Sequence, residues 1–306
     1  GASSAFSFLG CLKLVQDWFP ISRFSTLAGM TNTAAMLGAA SGAPLAVGVA
    51  ALGWRTSMLG IGAVELLLAI LMFLVVRDRP GQGSIHSHPQ TAPRTSPNDV
   101  SNVLRNPQVW LNAAYATGIS LIFVAFGGLW GSSFISKAYA LDTVAAAGIS
   151  ALLFVGGMVG SVFFGWLSDQ LQSRNRPMRL AAMGGLLTLC LLLYTPDLPL
   201  ALFKMGLFLM GFFSSANIVA YAVARDLYPR ISGFSIGFLS TCFYAGSAVS
   251  QPLVGLLLEY HAREHVGAAI DDLTVTDYRF ALSALVVFMA VALIASFRIR
   301  ETLRRR

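Results

Sequence analysis

Gly165-Trp166-Leu167-Ser168-Asp169-Gln170-Leu171-Gln172-Ser173-Arg174-Asn175-Arg176-Pro177 is a short charged interruption in a long apolar chain. It follows the apolar run Val144–Leu167 and precedes another, Arg179–Tyr194. It therefore reads as a charged turn between two helices. Its arginines sit between two runs that are each about as long as a bilayer core is thick.

Outward from this turn, the same pattern repeats. Of the 306 residues, 56% are hydrophobic and only 11% charged, against roughly a quarter charged in soluble domains. Nine apolar segments approach or exceed the ~20 residues that a spanning helix needs: Ala2–Phe19, Ser25–Gly53, Ser57–Val76, Gln108–Ser133, Val144–Leu167, Arg179–Tyr194, Leu198–Ala224, Ser235–Leu258 and Phe280–Phe297. Only helices satisfy every backbone group within one such segment, so the expected class is an all-α polytopic membrane protein. The lipid bilayer is then its first partner.

Basic residues fix the expected orientation. With the first segment running outside to inside, fifteen Lys and Arg fall inside: Arg23, Arg77, Arg79, Arg94, Arg105, Arg174, Arg176, Arg179, Arg225, Arg230, Arg298, Arg300, Arg304, Arg305 and Arg306. Four fall outside, namely Arg55, Lys137, Arg263 and Arg279. The positive-inside rule then places the turn at 165–177 and the C-terminus in the cytoplasm. The net charge of +7 is spread over these short loops and makes no nucleic-acid surface. Cys11, Cys190 and Cys242 lie singly in apolar segments and read as packing residues.

Between the third and fourth segments lies Arg77–Asn106, with Pro80, Gly81, Gly83, Pro89, Pro93 and Pro97 among Ser, Thr and Gln. That composition predicts a flexible linker. His86 and His88 within it read as solvated, with metal binding as the sharper alternative. The chain divides into residues 1–76, a cytoplasmic linker 77–106, and a group of six segments over 107–306.

The spacing Gly165, Leu167, Ser168, Asp169, Arg174 and Arg176 resembles the G-x-L-[AS]-D-x-x-x-R-R motif of the major facilitator superfamily. Trp18-Phe19-Pro20 with Arg23, Gly53-Trp54-Arg55, Gln251-Pro252-Leu253-Val254-Gly255 and Glu301-Thr302 look like further family turns and helix ends, so the resemblance covers nearly the whole chain. In the family the motif lies in the loop between the eighth and ninth helices. Here it falls between the fifth and sixth segments, as expected if three helices precede Gly1. The resemblance implies the MFS fold with nine of twelve transmembrane helices present, residues 1–76 being family helices 4–6 and 107–306 family helices 7–12. It also implies that the motif latches the two helix bundles together, its natural partner being the stretch around Ser22–Leu27.

Gly29, Gly38, Gly42 and Pro44 on the second segment resemble a fifth-helix pattern that the family associates with exchange, although Ala43 intervenes before Pro44. Close helix packing explains the same residues.

Ionisable residues in hydrocarbon are site candidates by default. Lys13 is placed to bind an anionic group or to pair with Asp17. Glu65 is the carboxylate deepest in an apolar segment, a candidate proton carrier or a neutral partner in a helix interface. Lys204 is a substrate candidate or a snorkelling side chain. Asn112, Tyr115 and Ser120, Asn217 and Tyr221, and Tyr244 and Gln251 are expected either to face a central cavity or to bridge helices. His261-Ala262-Arg263-Glu264-His265 matches the H-x-x-E-H zinc pattern, but the downstream acids that could complete it, Asp271, Asp272 and Asp277, read as loop residues, and Glu301 falls on the other membrane side.

No nucleotide-binding P-loop is present, so no cofactor is expected. The expected function is secondary active transport of a small polar solute, possible proton coupling resting on Glu65 and Lys13, in a bacterial inner (plasma) membrane. A receptor or scaffold retaining the fold is the alternative reading, with a membrane zinc hydrolase third.

Overall fold

The computed structural model describes residues 2–20, 23–42, 45, 48–49, 52–75, 97–266 and 273–303. All regular structure among the described residues is helical. Three helices precede the polar connector: α1 (Ala2–Trp18), α2 (Phe24–Ala40) and α3 (Trp54–Val75). After it come α4 (Pro97–Arg105), α5 (Pro107–Leu121), a π-helical stretch (Ile122–Trp130), α6 (Gly131–Tyr139), α7 (Thr143–Ser150), α8 (Leu152–Gln170) and α9 (Asn175–Tyr194). The last are α10 (Leu200–Ser214), α11 (Asn217–Leu227), α12 (Ser232–Val266) and α13 (Val275–Arg298).

Seven stretches among the described residues are long and apolar enough to cross a membrane: Trp54–Val75, Pro107–Tyr139, Thr143–Gln170, Asn175–Tyr194, Leu200–Leu227, Pro229–Arg263 and Val275–Arg298. The protein is thus an integral, multi-pass membrane protein. In the first two of the nine apolar segments, α1 and α2 each run 17 residues, ~26 Å at 1.5 Å per residue, the lower edge of what spans a bilayer core.

The sequence composition placed residues 97–105 in the flexible connector, but they form helix α4. Pro97 tolerates the first turn because its missing N–H would have no partner there. Val103 is fully buried, and the Leu104 carbonyl accepts from the Trp110 indole at 2.8 Å. The rest of the expected linker, apart from Asn106, lies outside the described residues.

In the later helices, α13 packs along both α5 and α9, α10 along α8 and α9, and α12 along α5 and α13. Their shared core holds Tyr115, Phe126, Phe134, Phe164, Phe203 and Leu207, all essentially without exposure. Caps set the ends: Asp142 accepts from the Ala145 N–H at 2.8 Å, and Thr274 with Asp277 forms a capping box on α13.

Two irregularities lie inside spans. At Ser215–Ala216 the α10–α11 ladder tightens to three-residue hydrogen bonds, the Ala216 N–H donating to the Phe213 carbonyl. Along Ile122–Trp130 the ladder instead widens, and the Gln251 amide from α12 donates to the Val124 carbonyl at 3.4 Å. Polar side chains from neighbouring helices are what make such breaks tolerable in a bilayer.

Helix α3 stands apart, since none of its described residues is buried. Helix α2 lies lengthwise against α8 and also touches α1 and α11, so α8 joins the early and late parts of the chain.

Candidate functional site

The α2–α8 crossing is close because each helix offers a glycine to the other's backbone. A Cβ on Gly29 would lie 2.3 Å from the Ser161 carbonyl oxygen, and one on Gly165 would lie 2.4 Å from that of Ser25. Backbones this close bring short polar side chains within hydrogen-bond reach of the facing helix. Asn32 donates to Ser161 Oγ at 2.7 Å, and Thr33 Oγ1 donates to the Met158 carbonyl at 2.9 Å.

At the Arg-rich end of this crossing the polar contacts converge. Helix α2 begins at Phe24 after Arg23, which supplies no side-chain cap. Asp169 on α8 takes that role from outside. Its Oδ2 accepts from the Thr26 N–H at 2.9 Å and from Thr26 Oγ1 at 2.8 Å. A carboxylate there satisfies unpaired N–H groups and faces the positive end of the helix dipole.

Arg174 sits beneath, with only 1% of its side chain exposed. Its Nη1 donates to Ser25 Oγ (2.6 Å), Ser168 Oγ (2.9 Å) and Asp169 Oδ1 (3.0 Å), and its Nε donates to Asp226 Oδ2 at 3.1 Å. Asp226, on α11, also accepts from Arg225 through both Nε and Nη2. The Arg225 guanidinium lies 4.1 Å from the centre of the Phe24 ring on α2. Two arginines and two aspartates thus tie α2, α8 and α11 into one buried cluster. Such a cluster gives little net stability over an apolar core, but removing one member strands the others.

Helix α9 also lacks a cap of its own, because Arg174 at its N-cap supplies none. Glu301, beyond α13, provides it. The Arg174 N–H donates to Oε1 (2.9 Å) and the Asn175 N–H to Oε2 (3.3 Å), while Ser173 Oγ donates to Oε2 at 2.5 Å. Burial alone would raise the Glu301 pKa, but the donors from Arg174, Ser173, Asn175 and Leu303 outweigh it and hold the group below the usual carboxylate range. A depressed pKa stabilises fully above the unfolded-state value of ~4.3 and ceases to as pH falls through the folded value. The thermal stability advantage of wild type over Glu301→Gln should therefore shrink as pH drops below ~4. A constant difference between about pH 6 and pH 3.5 would contradict it.

The sequence pattern of the Major Facilitator Superfamily matches residues 1–249. The chain belongs to this superfamily. Among curated relatives, the membrane sensor protein UhpC of Escherichia coli is 26% identical over 272 residues, covering 82% of this chain and 62% of the relative. The probable sulfoacetate transporter SauU of Cupriavidus necator is 25% identical over 264 residues, covering 79% and 60%. The chain therefore spans about three fifths of these relatives. Among solved structures, an inward-facing bacterial homologue of the human lysosomal transporter Spinster superposes with a TM-score of 0.61 at 16% identity, covering 94% of this chain and 73% of that one. The MFS fold is shared.

Against this superfamily frame, the expected site residues separate. Gly165, Asp169 and Arg174 form the cluster above, joined by Asp226, Arg225 and Glu301, for which the sequence spacing gave no signal beyond the family-like Glu301-Thr302 end. Arg176, within the first turn of α9, is exposed and stays outside the cluster, lining a polar cleft with Ser173 and Glu301. Gly38 and Gly42 have open space where a Cβ would stand, so packing among the described residues does not require them. Pro44 lies outside the described residues.

Asn112 and Tyr115 are buried and hydrogen-bond across helices, Asn112 Nδ2 donating to the Ala220 carbonyl at 2.9 Å and Tyr115 Oη to that of Met178 at 3.3 Å. Gln251 is used at Val124, as above. Glu65 is exposed on α3, so its depth along an apolar segment is not matched by packing, and no helix interface surrounds it among the described residues. Lys204 is exposed on the second turn of α10.

A smaller group remains at the junction of α5, α11 and α12. Asn217 Nδ2 donates to Ser120 Oγ at 2.9 Å, while its Oδ1 is buried with no partner among the described residues. One turn on, Tyr221 is buried and meets Phe8 of α1 edge-on at 5.2 Å. Tyr244, on α12, is half exposed. Lys13 is exposed on α1 between Phe8 and Gln16, the latter hydrogen-bonded to Ser232 of α12 at 3.0 Å.

The zinc pattern is put to another use. His261 Nδ1 pairs with Asp277 at 2.5 Å and its ring stacks on Phe280, while the side chains of Glu264 and His265 lie outside the description. No group of three His, Cys, Asp or Glu that could hold a metal occurs among the described residues. His86 and His88 lie outside the described residues.

Proposed function

We propose that the protein is a secondary transporter that moves a small organic anion by alternating access, with the Arg-rich end of its helices in the cytoplasm of a bacterial cell and the protein in its inner membrane. The observation that carries this reading is the α2–α8–α11 cluster around Arg174. It joins the chain before the connector to the chain after it through short, exchangeable polar contacts and glycine-lined backbones, which two rocking bundles can make and release. Residues 1–76 and 107–306 belong to the two bundles, with 77–106 as the connection.

Relatives named for hexuronate, sulfoacetate, hexose phosphate and galactonate transport suggest an organic anion. In this reading Lys13 receives the anionic group, while Asn217, Tyr221 and Tyr244 hydrogen-bond its neutral part. Burial of unpaired polar groups makes such a site discriminating. Lys13→Gln is expected to lower uptake of an anionic substrate more than tenfold, and Asn217→Ala to raise KM with less effect on kcat. Unchanged uptake of a panel of sugar acids and sugar phosphates by both variants would overturn the site.

Proton coupling rests on Lys13 and Glu65, and uptake indifferent to collapse of the proton gradient would sink it. A second reading is favoured by one observation, that an E. coli relative is named a membrane sensor. Substrate binding in proteoliposomes without flux would favour that reading.

A further inference from the structure

We infer that the seam between α9 and α13, at its Arg-rich end, is a docking site for the headgroup of an anionic phospholipid. Arg176 and Arg179 lie three residues apart on the first turns of α9, so they share a face. Arg298 ends α13 and Arg300 follows it. Arg179 crosses the seam: its Nε donates to the Ser296 carbonyl at 3.3 Å and its guanidinium lies 5.0 Å from the centre of the Phe297 ring.

Among the described residues, none of these four arginines has an ion-pair partner. The nearest acid in sequence, Glu301, is occupied by the α9 N–H groups and Ser173. A polar cleft of ≈ 200 Å³ opens here, lined by Arg176, Ser173 and Glu301 among others. Below the arginines, both helices turn bare apolar side chains outward, Met183 and Leu187 from α9 and Ile294 and Phe297 from α13, each between 46% and 63% exposed. Four guanidinium groups with no acid partner among the described residues, above an apolar double stripe, complement a phosphate above two acyl chains. Arginine favours that partner through planar, multiple N–H donation. The positive-inside rule explains the presence of arginines at this end, but not their grouping on two adjacent helices with one laid across the seam.

The test is native mass spectrometry of the protein in a neutral detergent, with phosphatidylglycerol and phosphatidylcholine of identical acyl chains. Preferential retention of phosphatidylglycerol, at least about tenfold, is expected. It should fall to near parity in Arg176→Gln/Arg298→Gln/Arg300→Gln, whose three sites are exposed and so leave packing intact. Arg263→Gln, exposed and paired with Glu259 on the other end of α12, should keep the preference. Should the triple variant lose helical content, Arg179→Ala alone is read instead, with the same loss of preference expected. Equal retention of both lipids by wild type, an undiminished preference in the variants, or displacement of the lipid by millimolar inorganic phosphate would each overturn the proposal.

Discussion

Arg174→Ala is expected to destabilise the protein by about 3–5 kcal/mol. The side chain is 1% exposed and feeds two carboxylates, each only 10% exposed. Its loss leaves Asp226 with Arg225 alone and Asp169 with the α2 N-terminus alone, in a site that water reaches poorly. The damage is mostly the cost of stranded charge, so Asp226→Asn should recover part of it, and the two changes should be less than additive. Arg174→Lys keeps the charge but cannot reach Ser25, Ser168, Asp169 and Asp226 together, because an ammonium lacks the planar fork. It should cost about 2 kcal/mol. Thermal unfolding in detergent at a fixed scan rate gives the order, and a spin-label distance between the exposed Arg23 and Gln170 positions reports whether α2 leaves α8. Wild-type stability in Arg174→Ala would mean that the cluster is incidental.

The helices were legible because a bilayer imposes length and apolarity on each segment separately, and α5 through α13 follow those runs closely. The loop cluster was legible in part. Gly165, Asp169 and Arg174 are close in sequence, and local spacing encodes a turn. Asp226 and Glu301 lie 52 and 127 residues from Arg174, and only the packing of α11 and the return of α13 bring them there. Spacing also treats Arg174 and Arg176 alike, whereas the start of α9 at Asn175 buries one beneath α8 and leaves the other exposed. Polar residues in the spans were the least legible. Asn112 and Asn217 have the same chemistry and similarly apolar surroundings in sequence. The first donates its amide to the Ala220 carbonyl and the second to the Ser120 hydroxyl, and each keeps a buried Oδ1 with no partner among the described residues. Periodicity does not separate them, because it assigns a helix face but not what that face meets.

Gly29→Leu should separate the two helices that Arg174 holds together, whereas Gly38→Ala, nine residues along the same helix, should not. The two glycines look equivalent in the G-x8-G-x3-G pattern. At Gly29 a Cβ would stand 2.3 Å from one backbone atom of α8 and 2.9 Å from another, and no rotamer change relieves contact with backbone. At Gly38 nothing among the described residues lies within 4 Å of that position. Leucine at position 29 must therefore push α2 away from α8, stretching Asn32–Ser161, Thr33–Met158 and the Thr26–Asp169 cap together. Overpacking of about 1–3 kcal/mol adds to the loss of hydrogen bonds worth about 1 kcal/mol each. Alanine at position 38 removes backbone freedom from the unfolded chain and should be neutral or stabilising by about 0.5–1 kcal/mol. Gly165→Val approaches the same crossing from α8 and should reproduce Gly29→Leu. If the crossing opens and closes during transport, Gly29→Leu should lengthen the Arg23-to-Gln170 distance and abolish uptake while the protein stays helical. A folded Gly29→Leu protein that keeps the wild-type distance would show that α2 and α8 are not packed through these glycines. One that opens yet still transports would show that their closure is not a step in the cycle.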